Sequence, residues 1–427
     1  MNVVQTFQSA KKSFFSKNPS LQSIEFRRLL LLRIGVIFAL NMQATILYYW
    51  VYQLTNNKLS LGFVGLAEVI PAIGCSLFAG HFVDLNEKKK MVSYALIGYI
   101  ITAVGLFLLS SSYFPIIVSV TLKVWMVYGL VFVGGVLRTF FVPAMFSLFG
   151  LIVPRAHYPN GTSWSSMAWQ IGAVLGPLVA GIFIGCFGIE TGLLWVGIFL
   201  LLMFIPLMGI SKKPIVKKEK EPMLESIREG IKFVFKTPTL LGAQLLDMFS
   251  VLFGGAVALL PVYQKEILHV DEMGFGILRA APGIGAIFTF AILAFLPLQR
   301  QPGKKLFLCV TGFAVSIIIF GISTNFILSF LMLLCSGMFD AVSVVIRSTI
   351  LQLVTPDAMR GRVSAVNTIF VSSSNEFGDF ESGVMANWLG TVRAVVTGGV
   401  LTLGVIAFTY AKVPKLRNFS FETKSEE

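Results

Sequence analysis

Charge is scarce in this chain of 427 residues. Asp, Glu, Lys and Arg together make up 13%, while 56% of the residues are hydrophobic and mean hydropathy is +0.81. A water-soluble protein of this length does not need so much apolar surface, which excludes the ordinary globular classes. Histidine is nearly absent: His81, His157 and His269 stand far apart, so no zinc site is suggested and no metal is expected. The four cysteines, Cys75, Cys186, Cys309 and Cys335, lie in separate apolar runs without CxxC spacing and read as packing residues. There is no Gly-x-x-x-x-Gly-Lys-Ser/Thr loop, which argues against ATP drive, and no HExxH or Gly-x-Ser-x-Gly. No catalytic residue, no cofactor and no enzyme activity are therefore expected.

What is abundant is length of apolar run. Segments of about 20 apolar residues recur along nearly the whole chain, the signature of a polytopic α-helical membrane protein. Residues 1–28 are basic, with no short apolar core and cleavage site after them, and read as a retained cytoplasmic tail. Six apolar segments follow within 29–210. Residues 211–238 are charged, carry prolines and are partly amphipathic, which marks a cytoplasmic linker with a surface helix. Six more apolar segments fill 239–411, and 412–427 is a polar tail. The fold expected is all-α, with twelve transmembrane helices in two six-helix bundles.

The net charge of +13 at first suggests nucleic acid, but the Lys and Arg sit in alternate loops rather than on one face. With both termini inside, 27 of the 34 fall on the cytoplasmic side, 4 on the other and 3 in the membrane. That asymmetry sets the expected topology and removes nucleic acid from the partners. The halves also repeat. At an offset of 202, Gly135, Pro154, Gly176 and Gly181 meet Gly337, Pro356, Gly378 and Gly383; at 211, Gly65, Pro71 and Gly74 meet Gly276, Pro282 and Gly285. Parallel repeats of this kind place a substrate site between halves near the midplane.

The few ionisable residues inside apolar segments are the candidate site, because each costs about 2.5–3.5 kcal/mol at bilayer depth and normally faces a bundle interior or a cavity. Ser336, Asp340, Ser343 and Arg347 recur on one helical stripe. Glu376 and Asp379 share a face and would repel if both were ionised, as a proton carrier requires. Glu381 lies about 140° round from Glu376 at roughly 100° per residue, so the three line one cavity only if the helix breaks, for which Gly378 and Gly383 offer places. The repeat superposes Arg138 on Asp340 and Glu68 on Arg279, opposite charges that could pair across the cavity. Asp247 is a candidate gate. Asn41, Gln43, Trp164, Trp169 and Gln170 are candidate cavity lining, suited to a ring-bearing amphipathic cargo. Each has a plainer reading as a structural ion pair or a packing residue.

The loop from Gly80 to Lys90 resembles the gating motif of the major facilitator superfamily, Gly-x-x-x-Asp-Arg-x-Gly-Arg-Arg/Lys. Gly80, Asp84, Lys88, Lys89 and Lys90 match it, while Leu85 and Glu87 replace the Arg and the second Gly. Tyr52 to Thr55, Glu68-x-x-Pro71-Ala72-x-Gly74, Arg138-x-x-x-x-Pro143-Ala144 and the block from Asp340 to Gly383 are similar to the enterobactin-exporter branch of that family. The resemblance implies a monomeric secondary transporter in the bacterial inner membrane, exporting a small molecule by alternating access in exchange for protons. A lipid or lysolipid flippase is the rival within the class; a membrane-embedded enzyme or receptor is the rival outside it.

Overall fold

The computed structural model describes residues 18–112, 118–154, 157–213, 223–295, 301–356 and 359–420. Within them the chain is helical from end to end, without a strand. The first bundle comprises α1 (Ile24–Thr55), α2 (Lys58–Leu85), α3 (Lys88–Ser110), α4 (Val120–Ile152) and the helix Tyr158–Leu202. That last helix reverses at Gly188, whose φ of 81° only glycine adopts readily, so its arms 158–187 and 189–202 serve as α5 and α6. The linker helix Met223–Lys236 leads into α7 (Pro238–Phe253), which continues through 3-10 and π turns to Leu268. Then come α8 (Glu272–Phe295), α9 (Pro302–Ile322), α10 (Phe326–Val354), α11 (Arg360–Leu389) and α12 (Thr391–Lys412).

Nine helices among the described residues are long and apolar enough to cross a membrane. One of the nine is the α5–α6 pair, and α2 and α11 are also of spanning length, with 28 and 30 residues; these are the helices that carry Glu68, Glu376, Asp379 and Glu381. Large apolar side chains such as Phe146, Trp388, Leu308 and Phe408 stand outward, as lipid-facing residues do in a multi-pass membrane protein. Asn57, Ser119 and Asn325 cap the starts of α2, α4 and α10 with side-chain acceptors, which satisfies backbone N–H groups at the helix ends.

Helix association in lipid relies on close packing rather than on the hydrophobic effect, so small residues mark the crossings. In the first half α4 lays Gly135 on α2, where a Cβ would come within 2.6 Å of the Pro71 ring and 2.9 Å of the Glu68 carbonyl. In the second half α10 lays Gly337 on the Pro282 carbonyl of α8. These are the repeat partners of Gly135 and Pro71, so the internal duplication is a duplication of contacts. The halves meet along two seams, α2 with α11 and α5 with α8. At one, a Cβ on Gly383 would lie 2.9 Å from the Gly62 Cα; at the other, a Cβ on Gly181 would lie 2.9 Å from the Gly276 Cα.

The break for which Gly378 and Gly383 offered places does not occur: α11 is continuous from Arg360 to Leu389, so Glu381 does not share a face with Glu376 and Asp379. Gly378 instead accepts the Val251 and Leu252 carbonyls of α7 against its backbone, and Gly383 accepts α2. Both glycines are used for close approach, and bending there would undo the crossings.

Candidate functional site

Two charged clusters lie inside the spanning helices, and they differ in what they join. The first sits between the halves. From α1, the Tyr48 hydroxyl donates to the Asp379 carboxylate of α11. From α8, the Arg279 guanidinium stacks 4.7 Å from the centre of the Tyr48 ring, within electrostatic reach of Asp379 and Glu68. From α4, Arg138 forms an ion pair with Glu68 of α2. Two acids and two arginines balance, and two members of each sign belong to different halves. The Nη1 of Arg279 is buried with no hydrogen-bond partner among the described residues, as is the hydroxyl of Tyr99 beside Arg138. Unmade hydrogen bonds of this kind are costly unless something else fills them.

The second cluster lies wholly in the second half. Arg347 of α10 pairs with Asp247 of α7 and reaches Asp340 at 3.5 Å; its Nε also donates to the Ser343 hydroxyl at 3.1 Å. Two carboxylates share one guanidinium, which leaves an excess negative charge. The side chain of Asp247 is 8% exposed and that of Asp340 is 45% exposed, so Asp340 is the open member. A small recess lined by Asp247, Ser250, Val310, Phe313, Phe339 and Asp340 opens beside it.

The cross-cavity pairs suggested by the repeat are therefore corrected. Arg138 does not pair with Asp340, nor Glu68 with Arg279; Glu68 and Arg138 pair with each other inside the first half. Their repeat counterparts, Arg279 and Asp340, do not form the matching pair. Arg347, two turns along α10, takes Asp340 and leaves Arg279 free to reach Tyr48 of the other half. Asp379 meets a tyrosine; the expected pairing with Glu376 lies outside the described residues, because the Glu376 side chain is not among them. Glu381 has no hydrogen bond or ion pair among the described residues.

A polar latch lies at the end where α1 turns into α2 and α7 into α8. Tyr49 donates to Glu272 at 2.9 Å, Tyr52 donates to Glu266, Lys58 pairs with Glu266 at 3.1 Å, and Lys265 donates to Asn56 at 3.1 Å. Each of these contacts joins one half to the other. At the opposite end the polar contacts seen stay within a half. Lys88 caps α2 through the Val83 and Asn86 carbonyls, and Lys89 holds the Met208 and Ile210 carbonyls after α6. Both are cations at helix ends, where the carbonyl dipoles favour them. Lys90 is exposed, and the surroundings of Gly80 and the Asp84 side chain lie outside what is described.

Trp164 donates from its indole N–H to Asn18 at 3.0 Å, at the end of α5 beside the N-terminal segment. Asn41 donates to its own helix at Ile37 and lies against Gly176. The Gln43 carbonyl oxygen is buried without a partner among the described residues, Gln170 is buried, and Trp169 stands exposed. Sequence reading passed over Tyr48, Tyr49, Lys58, Lys265, Glu266 and Glu272. Their signal was present: three tyrosines at 48, 49 and 52 on an otherwise apolar helix, and two acids flanking the turn before α8.

A family model described as Major Facilitator Superfamily matches residues 29–378. The chain belongs to that superfamily. It is a membrane transporter by family and not an enzyme. Curated relatives within the superfamily include the enterobactin exporter EntS of Shigella boydii serotype 18, 25% identical over 396 residues, covering 89% of this chain and 90% of the relative. EntS of Escherichia coli O81 is 24% identical over 395 residues with the same coverage. Among solved structures, an inward-facing, unoccupied bacterial homologue of the human lysosomal transporter Spinster superposes with a TM-score of 0.71 at 14% identity, covering 93% of this chain and 99% of that one. The inward-open xylose transporter XylE from E. coli gives 0.69 at 15% identity, covering 94% and 98%. At such identities the likeness of structures establishes the superfamily's fold, two six-helix bundles, and nothing of cargo.

Proposed function

We propose that this superfamily member is a proton-coupled exporter of a small amphipathic or aromatic molecule, siderophore-like or drug-like, working by alternating access as a monomer. The observation that carries the reading is the Tyr48, Asp379 and Arg279 cluster, with Glu68 and Arg138 beside it. It lies on the boundary between the halves and contains buried donors left without partners. A cargo entering there would meet an aromatic ring, a free guanidinium edge and carboxylates on both walls. Export as the direction rests on the relatives' name.

The orientation proposed is a bacterial inner membrane with both termini cytoplasmic, supported by the 27 of 34 Lys and Arg on that side. The latched end then faces outward. Gly80, Asp84, Lys88, Lys89 and Lys90 belong to the gate at the inner end, which must close when the latch opens. Proton exchange is assigned to one acid in each cluster: Asp340, the more exposed carboxylate on Arg347, and Asp379, held by the Tyr48 hydroxyl.

The experiment is transport of a ring-bearing amphipathic dye into everted vesicles carrying the chain. The expected result is uptake driven by an acid interior and abolished by a protonophore. Asp340→Asn and Asp379→Asn should each lower the rate by about tenfold or more, the loss of one interaction of ~1.4 kcal/mol. Native rates in both variants, still dependent on the gradient, overturn the assignment of coupling; uptake that ignores the gradient in the unaltered chain overturns proton drive.

A further inference from the structure

The linker helix Met223–Lys236 has two faces with different fates. One packs against the second half: Val234 is fully buried in a cluster with Leu240 of α7 and Val363 and Val366 of α11, and Phe233, Leu241 and Phe370 pack against that cluster. Gly230 is buried on the same side. The other face is uncovered. Arg228, Ile231, Lys232, Phe235 and Lys236 recur at i, i+3, i+4, i+7 and i+8, so they form one continuous stripe. Ile231 is 40% exposed and Phe235 59%, and the three cations are exposed as well.

The order of side chains across that stripe is informative. At about 100° per residue Ile231 and Phe235 occupy one edge, Arg228 the middle, and Lys232 and Lys236 the other edge. Glu229 at the border is the single acid among the described exposed residues of the helix. Depth is fixed by connectivity, because only Thr237 separates this helix from Pro238, the first residue of a spanning helix. The uncovered stripe is thus held where headgroups give way to acyl chains.

We propose that this face of the linker helix is a docking surface for anionic phospholipid. Ile231 and Phe235 enter the upper acyl region while Arg228, Lys232 and Lys236 extend to the lipid phosphates. Apolar and basic groups on adjoining edges match a leaflet boundary, where aqueous, phosphate and hydrocarbon layers follow one another within a few ångströms. The second half is thereby tethered to the leaflet through the element that connects it to the first. The surface is independent of which cargo is carried and of how transport is driven.

The test uses the full chain in phosphatidylcholine vesicles with or without phosphatidylglycerol. Phe235→Cys, combined with Cys186→Ser to remove the exposed native thiol, carries a fluorophore read with two quenchers: nitroxide-bearing lipid and aqueous iodide. The expected result is that lipid quenching exceeds iodide quenching, rises with phosphatidylglycerol, and loses that rise when Arg228, Lys232 and Lys236 are all changed to Gln. Ile231→Cys carries the same label should the first variant fail to fold. Dominant iodide quenching, which places the face in water, overturns the proposal. So does shielding from both quenchers, which means a protein surface covers it.

Discussion

Removing Arg347 should be the most disruptive single change inside the second half, and the structure allows its size to be worked out. The Arg347 and Asp247 side chains are 14% and 8% exposed, so their ion pair is largely out of contact with solvent. Taking away one partner of such a pair leaves a buried, uncompensated charge and costs about 3–5 kcal/mol. Here the orphan is a carboxylate with a second carboxylate nearby, but Asp340 opens onto the recess, which places Arg347→Leu near the lower figure, about 3 kcal/mol. Asp247→Leu should cost less, about 1–2 kcal/mol, because Arg347 keeps Asp340 and the Ser343 hydroxyl. The double variant Asp247→Leu/Arg347→Leu should recover much of the loss, since an apolar pair replaces the ionic one at little net cost. Reversible unfolding in detergent mixtures, read as a double-mutant cycle, should give a coupling of about 2–3 kcal/mol. An Arg347→Leu variant within ~0.5 kcal/mol of the native chain, or strictly additive single changes, would refute the reasoning.

Gly276→Val should hold the α5–α8 seam apart, because a Cβ there would lie 2.7 Å from the Pro177 carbonyl and 2.9 Å from Gly181; spin labels at positions 56 and 265 should report a longer distance than in the native chain. Glu266→Gln weakens two bonds of the latch at once, to Tyr52 and to Lys58, and should shift the same label pair towards the separated population by a factor of about 3–10, from ~1 kcal/mol of lost closure. Arg279→Lys keeps the charge but loses the planar stack on Tyr48 and the spare donors, so export should fall by about tenfold with little change in thermal stability, whereas unchanged export would remove Arg279 from the cargo path.

The fold was legible because its signals are long. Runs of about 20 apolar residues, a charged linker after residue 210 and glycines repeating at offsets of 202 and 211 survive any uncertainty about single positions. Gly135 and Gly337 show why the repeat is physical: each takes the place of a side chain at the same crossing in its own half. Helix ends were less legible. Hydropathy does not mark where α4 stops: the helix runs through Pro143 to Ile152, since a proline inside a membrane bundle loses one hydrogen bond without losing its packing. The acids and arginines of the site were visible as residues, but their partners were not. Helical periodicity states which side chains share a stripe; it does not state which of two neighbouring helices a long side chain will reach. Arg347 reaches α7, which no spacing along α10 could reveal.

That choice of partner separates the chemistry into two kinds. In the proposed rocking of the halves, bonds inside a half, such as Glu68 with Arg138 and Asp247 with Arg347, can persist, and the second of these keeps charges from being stranded away from solvent. Bonds between halves, such as Tyr48 with Asp379, Tyr49 with Glu272 and Lys58 with Glu266, must break whenever the latched end opens. The breakable set is built mainly from single hydrogen bonds of tyrosine hydroxyls, and the persistent set from arginine–carboxylate pairs, of which Asp247 with Arg347 is largely shielded from solvent. A carrier needs that ordering. Were the strong pairs placed across the seam, each opening would expose unpaired charge at a cost of several kcal/mol, and the two states would be too unequal in energy to exchange.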